Sequence, residues 1–468
     1  MKLAPYPEYK DAGVSWVGCI PAHWPEKRAK YYFKEIDERS QTGDEEMLSV
    51  SHITGVTPRS QKNVTMFKAE SNVGQKRCQP GDLIINTMWA WMSALGVSNH
   101  AGIVSPAYGV YRPRSNQDYD YYYLDSLLRI EGYRSEYICR STGIRSSRLR
   151  LYPDKFLSMP VVCPPQEEQQ TIARFLKAQD RLFRKFIRNK RRFIELLKEQ
   201  KQNVINQAVT RGLDPKVKFK PSGVEWIGDI PEHWEIVPLK RLASFKGGTG
   251  FPHVAQGKSG LELPFYKVSD MTLSGNWTYM INTNNSINPE TASSLGATIF
   301  PENAIIFPKI GGAMLTNKRR ILTKPSCIDN NMMGCVLNSE TVFDFLFLRL
   351  QTLDLGLIRK PGPVPAIGEG EVRAIRVPYP PVEEQIEIIE HVKAQTAAID
   401  QAITRAEREI ELMREYRTRL ISDVVTGQVD VRGIEVTEVA EEELLTLEED
   451  IADADDVIDD EGDMDETD

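Results

Sequence analysis

The chain has 468 residues, 41% apolar and 26% charged, a composition typical of a soluble globular protein too long for one ordinary core. It has no run of 18 or more apolar residues that could cross a membrane as a helix, and its start, "MKLAPYPEYKDAG", lacks the apolar stretch of a secretory signal. Six scattered cysteines (Cys19, Cys78, Cys139, Cys163, Cys327 and Cys335) form no CxxC pair, which argues for reduced thiols in a cytoplasm and against a disulfide framework or a zinc site.

The net charge of −8 conceals an asymmetry. Residues 435–468 hold 18 acidic groups and no Lys or Arg, which leaves 58 basic against 48 acidic groups in residues 1–434. A basic body attracts polyanions, although many proteins without such a partner share the excess. The tail, "EEDIADADDVIDDEGDMDETD", is too charged to build a core and is expected to be mostly disordered, either solubilising the chain or competing with nucleic acid for its basic body.

Taken in order, the chain first spells "GVSWVGCIPAHW" (13–24), then a variable segment (25–160), then "VVCPPQEEQQTIARFL" (161–176). It then begins again. "GVEWIGDIPEHW" (223–234) repeats eight of the twelve positions of the first phrase, and "VPYPPVEEQIEIIEHV" (377–392) keeps the PP-x-EEQ core. The ends match as well, "INQAVTRGLD" (205–214) with "ISDVVTGQVD" (421–430). The variable segments 25–160 and 235–376 agree only weakly, most clearly in "QPGDLIINTM" (79–88) against "FPENAIIFPK" (300–309), a turn followed by an apolar strand. The chain is an internal tandem repeat.

Each Pro pair stops the preceding element and is followed by acids suited to a first helical turn. From Gln166 to Thr210 apolar residues recur at Ile172, Leu176, Phe183, Phe186, Phe193, Leu197 and Val204. From Val382 to Thr426 they recur at Ile399, Ile403, Ala406, Ile410, Met413, Leu420 and Val424. Steps of three, four and seven fit a coiled-coil seam. Residues 166–212 carry twelve basic and five acidic groups and residues 382–426 six and ten, so the two helices are complementary partners. The short linker 211–222 makes their pairing antiparallel and returns the end of the second helix to the N-terminus. The basic run "RLFRKFIRNKRR" (181–192) faces either nucleic acid or the acids of the second helix.

Two similar domains on an antiparallel rod suit a target with two half-sites, and duplex DNA repeats its grooves every ~34–36 Å. The residues that carry this pattern also carry a resemblance. The W-x-G-x-IP-x-HW phrases at 16–24 and 226–234, both PP-x-EEQ openings, the "AVTRG"-like helix ends, "SFKGGTGF" (244–251) with "LPFYKVSDM" (263–271), and "DERSQTGDEEMLSVSHITGVTPR" (37–59) resemble the DNA-specificity subunits of type I restriction–modification systems, over residues 1 to about 434. The acidic tail has no counterpart in that pattern.

The resemblance implies an α+β chain: two mixed α/β target-recognition domains separated by two long antiparallel α-helices in an intramolecular coiled coil, with a pseudo-two-fold repeat. Its expected divisions are a recognition domain over 1–164, a spacer helix over 165–212, a second recognition domain over 213–380, a second spacer helix over 381–427, and a linker with acidic tail over 428–468. It implies that each domain reads one half of a bipartite, asymmetric site in double-stranded DNA. It further implies that the helices dock two methyltransferase subunits that use S-adenosylmethionine, that a motor-nuclease subunit joins for cleavage, and that this chain holds no cofactor or metal and is not itself a catalyst. In agreement, the chain has no Asn/Asp-Pro-Pro-Tyr motif, no Rossmann glycine fingerprint and no P-loop. A coiled-coil scaffold spacing two protein-binding domains is the alternative reading.

Side chains that reach DNA should be Arg, Lys, Asn and Gln on loops, with other cations on phosphates. The candidates are Lys62, Arg77, Arg112, Arg114, Arg145 and Arg148 in the first domain. In the second they are Lys246, Lys258, Lys309, Lys318, Arg319, Arg320, Arg359 and Lys360. Each is read either as a DNA contact or as ordinary solvated surface. "KGGTG" is either a phosphate-approaching backbone or only a turn, and Trp89 and Trp91 are either base wedges or core. His23 and His233, set among Trp, Pro and Gly with no second ligand-type residue nearby, are expected to be packing residues.

Overall fold

The computed structural model describes residues 4–14, 16–52, 54–61, 71–115, 119–143, 149–358 and 364–435. The acidic tail from residue 436, and with it the expectation of disorder, lies outside the described residues. The chain divides into two compact units, one made of residues 1–190 and 408–468, the other of residues 191–407. Both long helices, Gln166–Arg211 and Val382–Val425, contribute one half to each unit.

In the first unit a short antiparallel hairpin, Tyr9–Asp11 with Cys19–Pro21, leads into a four-stranded antiparallel sheet. Its order is Phe33–Glu35, Gly109–Pro113, Leu83–Ile85, Leu95–Val97. The apolar triplet Leu83-Ile84-Ile85 is buried on both faces, as its continuous apolar sequence requires. Helices Tyr121–Leu128 and Glu131–Arg140 cover one side, the first capped by Asp120, whose carboxylate accepts from the backbone N–H of Tyr122 and Tyr123. An aromatic core of Phe33, Tyr111, Tyr119, Tyr123, Tyr133 and Phe156 continues into the long helices at Ile172, Leu176, Leu420 and Val424.

The second unit repeats the recipe. Its hairpin is Phe219–Pro221 with Asp229–Pro231. Its main sheet has five strands in the order Ala243–Gly247, Met332–Leu337, Ile305–Pro308, Arg320–Leu322, Tyr279–Met280, with only the last pair parallel. The segments matched in sequence, 79–88 and 300–309, both supply the strand in third place. A small sheet of Ser286–Ile287, Leu263–Tyr266 and Cys327–Ile328 lies beside it. Trp234 and Phe345 pack with Ile205, Val209, Ile388 and Val392 of the two long helices.

Within each unit the helices run antiparallel. In the first, Phe183 meets Tyr416 edge-on at 5.8 Å, Asp180 accepts from Arg417 at 2.6 Å, and Lys190 pairs with Glu409 at 2.6 Å. In the second, Lys201 pairs with Asp400 at 2.6 Å. The acid–base complementarity is thus used, in part by residues other than the arginines of the basic run. Arg184 pairs with Asp180 on its own helix. The buried stripe departs from the seam expected from sequence: Ile194 and Ile205 are buried where Phe193 and Val204 were expected, and Phe193 is 45% exposed.

The end of the second helix does return to the N-terminus. Asp430 N–H donates to the Ala4 carbonyl at 2.8 Å, and the Gln428 side chain donates to the Cys19 carbonyl at 2.7 Å.

Candidate nucleic-acid interface

The repeated phrase forms the same junction in each unit. Glu168, the second acid of the first PP-x-EEQ, accepts from Trp24 Nε1 at 3.1 Å, from Tyr6 Oη at 2.5 Å and from His23 Nε2 at 2.8 Å. Glu384 does likewise for Trp234 Nε1 at 2.9 Å and His233 Nε2 at 2.7 Å. The following glutamines close their own helix starts: Gln169 Nε2 donates to the Pro164 carbonyl and Gln385 Nε2 to that of Pro380, each at 2.8 Å.

The opposite helix ends in the same place. Gly427 has φ +74°, and a Cβ there would meet Pro21 at 2.4 Å and Trp24 at 3.0 Å; Gly212 has φ +73° and faces Glu384 and Trp234. One tryptophan thereby ties the start of one long helix to the end of the other. His23 and His233 are exposed hydrogen-bonding groups, and no group of three His, Cys, Asp or Glu among the described residues could hold a metal.

Each unit carries a central sheet beside its junction, and the sheets place the candidates. In the second unit, strands Ala243–Gly247 and Ile305–Pro308 both run antiparallel to Met332–Leu337, so the ends of the first two lie beside the start of the third. Lys246 sits opposite Gly334, and Lys309 N–H donates to the Asn331 carbonyl at 2.8 Å. Lys246, Lys309, Asn330 and Asn331 therefore gather at one end. Because Arg320–Leu322 is antiparallel to Ile305–Pro308, Lys318 joins them.

The remaining candidates of this unit differ. Arg319 is only 3% exposed; its guanidinium lies over the Phe307 ring, donates to the carbonyls of Lys318 and Leu353, and is pushed down to about 10 by burial. Arg320, half-buried, donates to the carbonyls of Asn276, Arg319 and Met271. Both act as internal braces rather than free cations. Burial also lowers the pKa of Arg320, and burial together with the nearby Arg320 lowers that of Lys318. Lys258 is exposed away from this cluster, its carbonyl held by Ser286. Arg359 and Lys360 lie outside the described residues. The glycines of "KGGTG" serve packing: a Cβ on Gly248 would meet the Asp329 carbonyl at 2.1 Å, and one on Gly247 the Lys309 ammonium at 2.6 Å.

In the first unit the corresponding sheet end carries Asn86, Thr87, Trp89 and Trp91. Asn86 donates to Tyr108 Oη at 3.2 Å and Thr87 to the Ala107 carbonyl at 2.8 Å. The rings of Trp89 and Trp91 stack at 6.1 Å, half-buried, so they are neither deep core nor free wedges. Arg112 forms a fork with both oxygens of Asp82 at 2.9 Å and reaches Glu38 at 3.1 Å, which raises its pKa and commits it to the protein. Arg114 is exposed beyond the far end of the same strand, donating to the Lys30 carbonyl at 3.0 Å. Arg77 is exposed beside Glu45 at 3.3 Å. Lys62, Arg145 and Arg148 lie outside the described residues.

Asn330 and Asn331 were not among the sequence-nominated residues. The signal was there, two amides in "IDNN" directly before an apolar strand, but a search for cations passes over them.

Residues 231–412 match the family described as the type I restriction modification DNA specificity domain. The chain is 27% identical over 331 residues to a putative type I restriction enzyme MjaX specificity subunit of Methanocaldococcus jannaschii, covering 69% of this chain and 71% of that protein. It is 25% identical over 290 residues to the MjaVIII specificity subunit of the same organism, covering 60% and 64%. A solved chain from work on complex assembly and conformational transition of the type I R-M system aligns over 88% of this chain and 99% of its own, with a TM-score of 0.59 at 13% identity, which is a likeness of fold. In sequence this chain resembles the DNA-specificity subunits of type I restriction–modification systems, and in fold it resembles a chain solved as part of such a system.

Proposed function

We propose that the chain is the non-catalytic, sequence-reading subunit of a type I restriction–modification complex in the cytoplasm. Each unit reads one half of a bipartite, asymmetric site in duplex DNA. The long helices set the spacing and dock two methyltransferase subunits that carry S-adenosylmethionine, and a motor-nuclease subunit joins for cleavage. The observation that carries this reading is the twice-built junction. The same Trp–His–Glu–Gly contact recurs in each unit, while one end of the central sheet differs between them: half-buried Trp89 and Trp91 beside buried Asn86 and Thr87 in one, lysines and exposed paired asparagines in the other. Identical seats with different readers suit a target whose two halves are unlike.

The test is expression of the full chain with the methyltransferase subunit of its own operon. Co-purification and salt-sensitive binding to one bipartite duplex are expected, because phosphate contacts release counterions. Exchanging residues 25–160 for those of another specificity subunit should change one half-site only. Change in both halves, or no stable complex with a methyltransferase, contradicts the proposal.

A further inference from the structure

The five-stranded sheet of the second unit carries one more element at its polar end. Tyr279–Met280 runs parallel to Arg320–Leu322, so the residues just before it, at the tip of the loop 272–278, lie at the same end as Lys309 and Lys318. At this tip Trp277 is 69% exposed, the most open tryptophan among the described residues. Tyr279 and Ile281, two and four residues on, are 50% and 60% exposed.

The exposure does not come from a loose loop. Asn276 is completely buried, and its amide makes four hydrogen bonds. Its oxygen accepts from Ile281 N–H at 2.8 Å and Asn282 N–H at 2.9 Å, and its nitrogen donates to the carbonyls of Asp270 and Asn282, both at 2.7 Å. From the other side Arg320 grips the carbonyls of Asn276 and Met271. The backbone is fixed on both sides of Trp277 while its ring stands in water. A large aromatic ring carried into solvent by a fixed backbone gives up burial and offers contact area at the cost of only two side-chain torsions, the property of a recognition residue.

The chemistry around the ring selects the partner. Residues 271–289, "MTLSGNWTYMINTNNSINP", contain no acid to repel a phosphate, and Ser, Thr and Asn predominate among their polar groups. Asn284 is an exposed amide of the type that pairs with base edges, while Asn282, also exposed, donates from Nδ2 to the Ser274 carbonyl at 2.8 Å and braces the loop. Lys309 and Lys318 supply positive charge at the same sheet end.

We propose that the loop 272–284 is the base-contacting element of the second unit, with Trp277 stacking on a base or entering a base step of duplex DNA. This rests on the DNA-reading function proposed above. Arg320 and Asn276 are then positioning residues, which accounts for a cation spent on backbone carbonyls.

The experiment uses the full chain in complex with its methyltransferase subunits and the duplex identified by mapping methylated adenines in the host genome. Wild type, Trp277→Ala and Trp277→Phe are compared for duplex affinity, quenching of tryptophan fluorescence on binding, and methylated motif. Trp277→Ala should weaken binding by about tenfold or more, as loss of one base–aromatic stack does, and relax the motif in one half-site only. Trp277→Phe should recover most of the affinity while removing the quench. Unchanged affinity and motif in Trp277→Ala would overturn the proposal and leave the DNA-reading function intact. Loss of the methyltransferase subunits from Trp277→Ala would overturn it in favour of a protein-docking surface. A wild-type complex that methylates no bipartite motif would overturn both, and no variant is needed to see it.

Discussion

Glu168 bonds Tyr6, His23 and Trp24 with its side chain only 6% exposed, so removing it strands two buried donors, Tyr6 and Trp24, while His23, 43% exposed, turns to water. Glu384 serves two donors and is 22% exposed. Each buried donor left unmade costs about 1–3 kcal/mol. Glu168→Ala should therefore lower stability by about 3 kcal/mol or more, and Glu384→Ala by about half as much, as measured by urea denaturation. Equal small losses would show that the junction does not bind the helices. From their Trp, Pro and Gly neighbours a structural role for the histidines was legible, though not the exposure of both rings, 43% and 48%. Their partner was not, because Glu168 lies 145 residues from His23 and first-turn acids have a sufficient local reason to be there. Charge alone also misjudged which cations are free. Arg112, Arg319 and Arg320 look like any other basic residue in sequence, yet the fold turns them onto Asp82, Phe307 and backbone carbonyls.

Among the elements, the long helices were legible in existence, direction and charge, but not in their buried stripe at every step. An α-helix drifts by about 20° per heptad against a 3.5-residue repeat. Over a helix as long as Gln166–Arg211 this moves burial from Phe193 to Ile194 and from Val204 to Ile205. Ile205→Ala should cost about 2–4 kcal/mol as a core truncation, whereas Phe193→Ala, removing the larger but half-open ring, should cost under about 1 kcal/mol. The reverse order in chemical denaturation would restore the seam read from sequence. A second element-level test concerns the pinned loop. Burial raises the pKa of Asp270 above its unfolded value, so the group favours folding when protonated and loses that contribution as pH rises through its folded pKa. Asp270→Asn keeps an acceptor for the Lys267 N–H and removes the buried charge. It should be at least as thermostable as wild type at neutral pH, with wild type regaining ground as pH falls through the folded value. A wild-type advantage that is largest at neutral pH would contradict this.

For the whole molecule, the tandem organisation could be read directly, since phrase, variable segment and helix recur in the same order and fold into two units with the same sheet order at their centres. Which side chains gather at each sheet end could not, because that depends on which loops meet there, and residues brought together, such as Lys246 and Asn331, are far apart in the chain. If the long helices set the distance between half-sites, inserting one helical turn into each, about 5.4 Å, should widen the unread spacer in the methylated motif by one to two base pairs, at about 3.4 Å each. An unchanged spacer would show that spacing is set elsewhere. The central claim, that this chain reads DNA for a modification complex, is tested most directly by mapping methylated adenines across the genome of the host with the gene intact and deleted. One bipartite motif with two unlike halves should lose its methylation on deletion, and a methylome that keeps every bipartite motif would contradict the account.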